Sequence, residues 1–209
     1  MKTIPGETSI REFLAAIASA EGVHGAVSAA AVSGGLGVSL LAMVAALPKT
    51  RSDSADDRAE LITAAAALSD VEEQLIETIE TETAVKIFAA RNLPQASETQ
   101  RTERRAAIQL ALHAAADVPL EVMRLCARGL KLAETVAAYS ARAASADVEL
   151  GVALLHAGFS GARANLEGKL SSLTDAPYIT SIVDEIARLS EETTAATRAT
   201  ESFLQVPPA

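Results

Sequence analysis

Aromatic side chains are nearly absent: two tyrosines, four phenylalanines and no tryptophan in 209 residues. A pleated sheet surface is usually filled by aromatic and β-branched residues, so this shortage argues against β structure. Cysteine occurs once, at Cys126, which excludes an intramolecular disulfide and makes a reducing cytoplasm the simplest setting. Cys126 lies in LEVMRLCARGL, an apolar helical pattern, and is expected as a small buried hydrophobe instead of a nucleophile. The three histidines show no metal-ligand spacing, so no metal site is expected. Basic charge is in deficit, with 18 Lys and Arg against 27 Asp and Glu and a net charge of −9. Phosphate binding needs a basic face, so nucleic acid is excluded as the main partner. The densest basic run, RTERRA at 101–106, is interrupted by Glu103 and reads as a solvated helix start.

Charge is missing altogether from Gly22 to Pro48, a run of 27 residues. A signal peptide is not expected there, because the charged, capped segment MKTIPGETSIREF precedes it. Its length would suffice for a membrane span. However, it is built from Ala, Gly and Ser, and the rest of the chain supplies amphipathic helices to cover it. A buried central helix is therefore expected, and no membrane. Small residues allow close backbone approach in such a helix.

What the chain has in abundance is alanine, the best helix former and a small one, which favours closely packed helices. The expected fold class is all-α. Ser9 and Glu12 have the spacing of a capping box and predict a first helix to about Ala20. A second helix should run from about Gly25 to Leu47, stopped by Pro48. SDSADD (52–57) offers caps for a long third helix with apolar positions Leu61, Ala65, Leu68, Leu75 and Ile79. That helix should reach the loop at Asn92-Leu93-Pro94. A fourth is expected from about Glu98 to Ala116, and Pro119 should begin a fifth ending near Tyr139. The sixth, about Ser145 to Ser172, carries a stripe at Val148, Val152, Leu155, Phe159, Ala162, Leu166 and Leu170. A last helix shows Ile182, Val183, Ile186, Leu189 and Phe203. With no repeat or linker, residues 1–209 read as one domain.

Several segments then carry a resemblance in the same order as a known family. They are FLAAIAS (13–19), the turn His24-Gly-Ala-Val-Ser28, and a helix ending Ala42-Met-Val-Ala45. The most specific is LPQASETQRTERRAAIQLALHAAADVPLEV (93–122); AASADVELGVALL (143–155) follows, with Gly161 and Asn165 after it. Together they resemble the cyclodeaminase/cyclohydrolase family, which comprises the cyclodeaminase part of formiminotransferase-cyclodeaminase and the stand-alone methenyltetrahydrofolate cyclohydrolases. The resemblance implies an up-and-down bundle of long antiparallel helices. It also implies a homodimer formed through the Ala/Gly-rich N-terminal helices, with a folate cleft between subunits.

The implied substrate is a tetrahydrofolate derivative, with no tightly bound cofactor. Opening or closing the ring at N5 and N10 needs a proton acceptor near the attacking atom and a donor near the leaving nitrogen. The resemblance gives these roles to Glu80, aligned with an acidic motif on the third helix, and Glu149, aligned with the aspartate of an S-D-A-G motif. His24, which replaces a proline in the glycine turn, joins them because an unperturbed imidazole titrates near neutrality. Gly25, Ser28, Lys86, Gly151 and Asn165 are the implied substrate-binding positions.

The chain departs from the family's motifs in places. Two turn glycines have become Ala26 and Val27, Val85 stands at a second acidic position, and both retained acids are lengthened to glutamate. These departures motivate a second reading, a member repurposed for cyclisation, hydration or C–N bond formation on a non-folate small molecule. A third is a catalytically silent helical dimer acting as a binding protein. Glu149, His156 and Arg163 recur every seven residues beside the apolar stripe, lining either a cleft or a solvent-facing flank. His113 is expected to be structural.

Overall fold

The computed structural model describes residues 9–19, 25–79 and 83–205, with the backbone alone at 83–86. Its elements are α1 (Ile10–Ala18), α2 (Ala26–Ala46), α3 (Ala55–Ile79), α4 (Thr83–Arg91), α5 (Glu98–Tyr139), α6 (Ser145–Leu170) and α7 (Ala176–Leu204), with a short 3-10 turn before α6. No strand occurs among the described residues. An isolated antiparallel bridge joins Thr50 to Ser140. The fold is the expected all-α bundle.

Local sequence starts these helices in identifiable ways. Ser9 Oγ accepts the Glu12 N–H while the Glu12 carboxylate accepts the Ser9 N–H, completing the capping box of α1. Ser97 and Gln100 form a second box at α5. The Asp57 N–H donates to Ser54 Oγ at the start of α3, where Asp56 and Asp57 also complement the helix dipole. The end of α2 is closed by Arg58, whose guanidinium donates to the carbonyls of Leu47 and Ala45.

One expected boundary is wrong. Pro119 does not begin a helix; it lies inside α5, a continuous element of 42 residues. Proline has no N–H for the Ala115 carbonyl and crowds the preceding turn, at a cost of about 3 kcal/mol. Packing offsets this, because Leu120, Val122, Met123, Leu125 and Cys126 are all buried in the next two turns, at about 1.5–3 kcal/mol for each large side chain. The expected third helix is helical to Ile79 as α3 and again from Thr83 as α4, and residues 80–82 lie outside the described residues.

The core runs through α2, α3, α5, α6 and α7. By length and composition α2 and α5 would each suffice to cross a bilayer. Here α2 is the inner element, packed on α6, α3 and α5, with Val38, Leu41, Val44 and Ala45 completely buried. Glycine permits that contact. A Cβ at Gly37 would stand 2.7 Å from the Gly151 carbonyl oxygen, and one at Gly158 would stand 2.8 Å from the Ala30 oxygen and 3.0 Å from the Gly34 nitrogen. The helices therefore approach backbone to backbone. The α6 stripe from Val148 to Leu166 is buried as expected, whereas Val183 and Phe203 of α7 are substantially exposed.

Candidate functional site

The register between helices decides which site residues meet. On α6, Gly151 faces Gly37, the Leu154 carbonyl accepts a hydrogen bond from Ser33 Oγ at 2.9 Å, and Gly161 faces Ala30. Carried one turn further, this antiparallel register sets Ala26 and Val27 level with Asn165, while Ser28, eleven residues before Ser39, shares the α3-facing side of α2. On the other side, Ser39 Oγ donates to the Glu72 carboxylate at 2.5 Å and Gly34 faces Leu75. The same register brings Ile79, the last residue of α3, beside the start of α2. Gly25, Ser28 and Asn165, far apart in sequence, therefore gather at one end of the bundle.

At that end Gly25 is the N-cap of α2, and no described residue comes within 4 Å of where its Cβ would stand. Ser28 is half-buried on the first turn. Asn165 Oδ1 accepts from Lys169 Nζ, and burial holds the Lys169 ammonium below its usual pKa. No sequence motif marks Lys169, although Asn165 and Lys169 stand one helical turn apart and so share a face. His24 and Glu80 lie outside the described residues; each is the chain neighbour of a residue at this end, Gly25 and Ile79. Lys86 lies on α4, its side chain outside the described atoms.

Glu149 and Gly151 do not join this group. Gly151 is buried in the α2–α6 contact. Glu149 is separated from Asn165 by about 24 Å of helix, given 1.5 Å of rise per residue. It lines a different concavity, a cleft of about 430 Å³ between α6 and α7, with Val152, His156, Thr197, Thr200 and Glu201. The seven-residue stripe thus divides: His156 shares the cleft with Glu149, whereas Arg163 is held by Glu167 at 2.8 Å and Ser190 Oγ at 3.3 Å.

In that cleft His156 Nε2 is 2.6 Å from Thr197 Oγ1. The Thr197 hydroxyl is also 2.8 Å from the Thr193 carbonyl, and with one proton to give, its bond with His156 runs in the direction set by the imidazole tautomer. Burial lowers the His156 pKa, and the Glu201 carboxylate opposes that in part.

A further concavity, about 700 Å³, is an open apolar groove of α4, α5 and the start of α7. At one end the His113 and Tyr178 rings stack with centroids 4.1 Å apart. The Tyr178 hydroxyl donates to Asp117 at 2.5 Å, and burial together with that carboxylate raises the phenol's pKa well above the ordinary value. His113 lines the groove at this stack. Its Nε2 is buried without a hydrogen-bond partner among the described residues. No group of three His, Cys, Asp or Glu among the described residues is arranged to hold a metal ion.

With the bundle and its clustered end described, comparison with known proteins decides the lineage. A family profile described as formiminotransferase-cyclodeaminase matches residues 9–188. The chain belongs to that family. It is 29% identical over 189 residues to a methenyltetrahydrofolate cyclohydrolase from Methylorubrum extorquens, covering 90% of this chain and 91% of the relative. The fold is that of formiminotetrahydrofolate cyclodeaminase from Thermotoga maritima. Its crystal structure superposes with a TM-score of 0.84 at 20% identity, over 96% of this chain and 97% of the other. The family's folate-related chemistry is thereby the frame for this chain's sites.

Proposed function

We propose that this formiminotransferase-cyclodeaminase family member is a cytoplasmic, single-domain enzyme that hydrolyses 5,10-methenyltetrahydrofolate by general acid/base catalysis. What supports the reading is the α2–α6 register, Gly161 against Ala30 and Ser33 bonded to Leu154, which puts the start of α2 and Asn165 at the same end of the bundle. Water adds to the amidinium carbon, the bond from that carbon to N5 breaks, and N10 keeps the formyl group. The carbon is already an activated cation, so what the protein must add is a proton acceptor for the water and a donor for N5. His24 and Glu80, chain neighbours of that end, are the groups assigned to these proton transfers. Gly25, Ser28 and Asn165 bind substrate. Lys169 joins them, and its lowered pKa suits a group that exchanges a proton near neutrality more readily than an exposed lysine.

The partner is a second copy of the chain. Leu36 and Met43, seven residues apart on the outer face of α2, are 56% and 43% exposed, an apolar stripe that a homodimer would cover. Glu149 enters the same reaction only from such a second copy, because its own protomer keeps it at the far end of α6. Gly151 contributes through the α2–α6 contact that fixes the register. The test is loss of the methenyl chromophore with purified protein. Turnover above the buffer-catalysed rate, lowered by about 10²-fold or more in His24→Asn and Glu80→Gln, is the expected result. Turnover that is absent from the wild type, or unchanged in both variants, overturns the reading.

A further inference from the structure

RTERRA at 101–106 is the densest basic run in a chain of net charge −9, and none of its residues takes part in the hydrolysis. Its arginines stand in the opening turns of α5, where Arg101 and Arg105 are one turn apart and repel. Only Arg101 is paired, with the Glu98 carboxylate at 2.6 Å. Arg104 donates Nε–H to the Arg91 carbonyl at 3.0 Å, which leaves its terminal nitrogens uncommitted among the described residues. Arg105 makes no hydrogen bond or ion pair among the described residues. All three guanidiniums line one concavity of about 190 Å³, together with Gln95 and Gln109.

Packing puts this concavity at the bundle end assigned to folate. Helices α2 and α5 run parallel, with Gly34 against Cys126 and Val38 against Gly129, so α5 projects about 30 Å past the start of α2. Arg101 lies on the row of α5 that carries Ala115 and Val122, and Arg105 on the row of Pro119 and Cys126. That face is buried in the core further along α5 and turns basic where it overhangs the bundle end. Gln109 ties the overhang to the end of α6: its amide oxygen accepts the Thr174 N–H at 3.1 Å, and its amide nitrogen donates to the Ser172 carbonyl at 3.4 Å. Gly158 against Cys126 sets Lys169 level with Ala115, so Arg105 stands about 15 Å beyond Lys169 along the axis.

At about 190 Å³ the concavity has room for one arm of a ligand and not for a whole folate. A tetrahydrofolate whose one-carbon unit sits by Asn165 and Lys169 continues as an aminobenzoyl ring and then a glutamate with two carboxylates. Carboxylates are the groups that a guanidinium fork matches. We propose that Arg101, Arg104 and Arg105 seat the carboxylates of that glutamate tail, an inference that rests on the folate reading.

The test is isothermal titration of full-length protein with 4-aminobenzoyl-L-glutamate, which carries the tail without the pterin or the one-carbon unit. Saturable binding is expected, weakened about tenfold in Arg101→Gln and in Arg105→Gln. Arg128→Gln, which removes a charge elsewhere on α5, should bind as the wild type does. Sulfate at equal ionic strength should not displace the tail. In the chromophore assay the same two variants should raise KM about tenfold with kcat kept, the mark of a remote binding contact. Tail binding with no turnover by the wild type overturns the hydrolysis and keeps the seat. Absence of tail binding overturns the seat, whether or not the wild type turns over substrate. So does tail affinity unchanged in both variants, equal weakening in Arg128→Gln, or displacement by sulfate.

Discussion

Cys126 is completely buried between the close-packed glycines Gly34 and Gly158, and burial pushes its thiol pKa up to about 12. The thiolate is the reactive form, so the native protein should resist iodoacetamide at pH 8, and labelling should appear only as the chain unfolds. Rapid stoichiometric labelling of the folded protein would contradict this placement. His156 makes an opposite kind of prediction. Its folded pKa lies below the unfolded one, so the unfolded state binds more protons as pH falls through the imidazole range near 6.5. Stability should therefore decline on the acid side of that range. His156→Asn should flatten that part of the curve, measured by urea unfolding between pH 7.5 and 5.5. A wild-type curve that rises toward acid would show the sign to be wrong. Both residues are visible in the sequence, but to different depths. Cys126 is legible because its neighbours repeat with helical spacing. The polar partner of His156 is not, because Thr197 is 41 positions away in sequence and sits on another helix. Lys169 is inconspicuous for a similar reason: its burial comes from tertiary packing, which i,i+4 spacing alone does not reveal.

At the level of elements, glycine separates positions that need its small size from those that do not. A Cβ at Gly37 or Gly158 would meet neighbouring backbone within 3 Å, and backbone cannot rotate away as a side chain can. Gly158→Ala should cost about 1–3 kcal/mol, read as a drop in thermal midpoint of several degrees. Gly35, on the same helix α2 as Gly37, has nothing within 4 Å of a Cβ. Gly35→Ala should stabilise by about 0.5–1 kcal/mol through helix propensity. Equal effects of the two substitutions would mean that the α2–α6 register is misassigned. Helix existence and most helix starts were legible, since Ser9 with Glu12 and Ser54 with Asp57 are caps that the chain carries locally. The unbroken α5 was not, because Pro119 is a local breaker that only its buried neighbours overrule.

For the whole molecule, the lineage and the bundle were readable from motifs spread over nearly the entire chain. The grouping of the site was not. Motif order puts Glu149 and Gly151 next to Asn165, yet about 24 Å of helix and a change of face separate Glu149 from the end that holds Ser28 and Gly25. Sequence spacing gives position along a helix; which neighbour covers each face follows only from packing. The outer stripe of α2 bears on the same scale. Leu36→Lys with Met43→Lys should convert a dimer to monomer in sedimentation velocity while leaving helicity intact, and an unchanged sedimentation coefficient would remove α2 from the interface. The most direct measurement remains the decay of the methenyltetrahydrofolate chromophore in the presence of the purified chain. Catalysed decay that collapses in Glu80→Gln and His24→Asn, in variants that keep the wild-type circular dichroism, is the expected result. A wild type that neither accelerates the decay nor binds the folate would contradict the assignment of one-carbon chemistry to this chain.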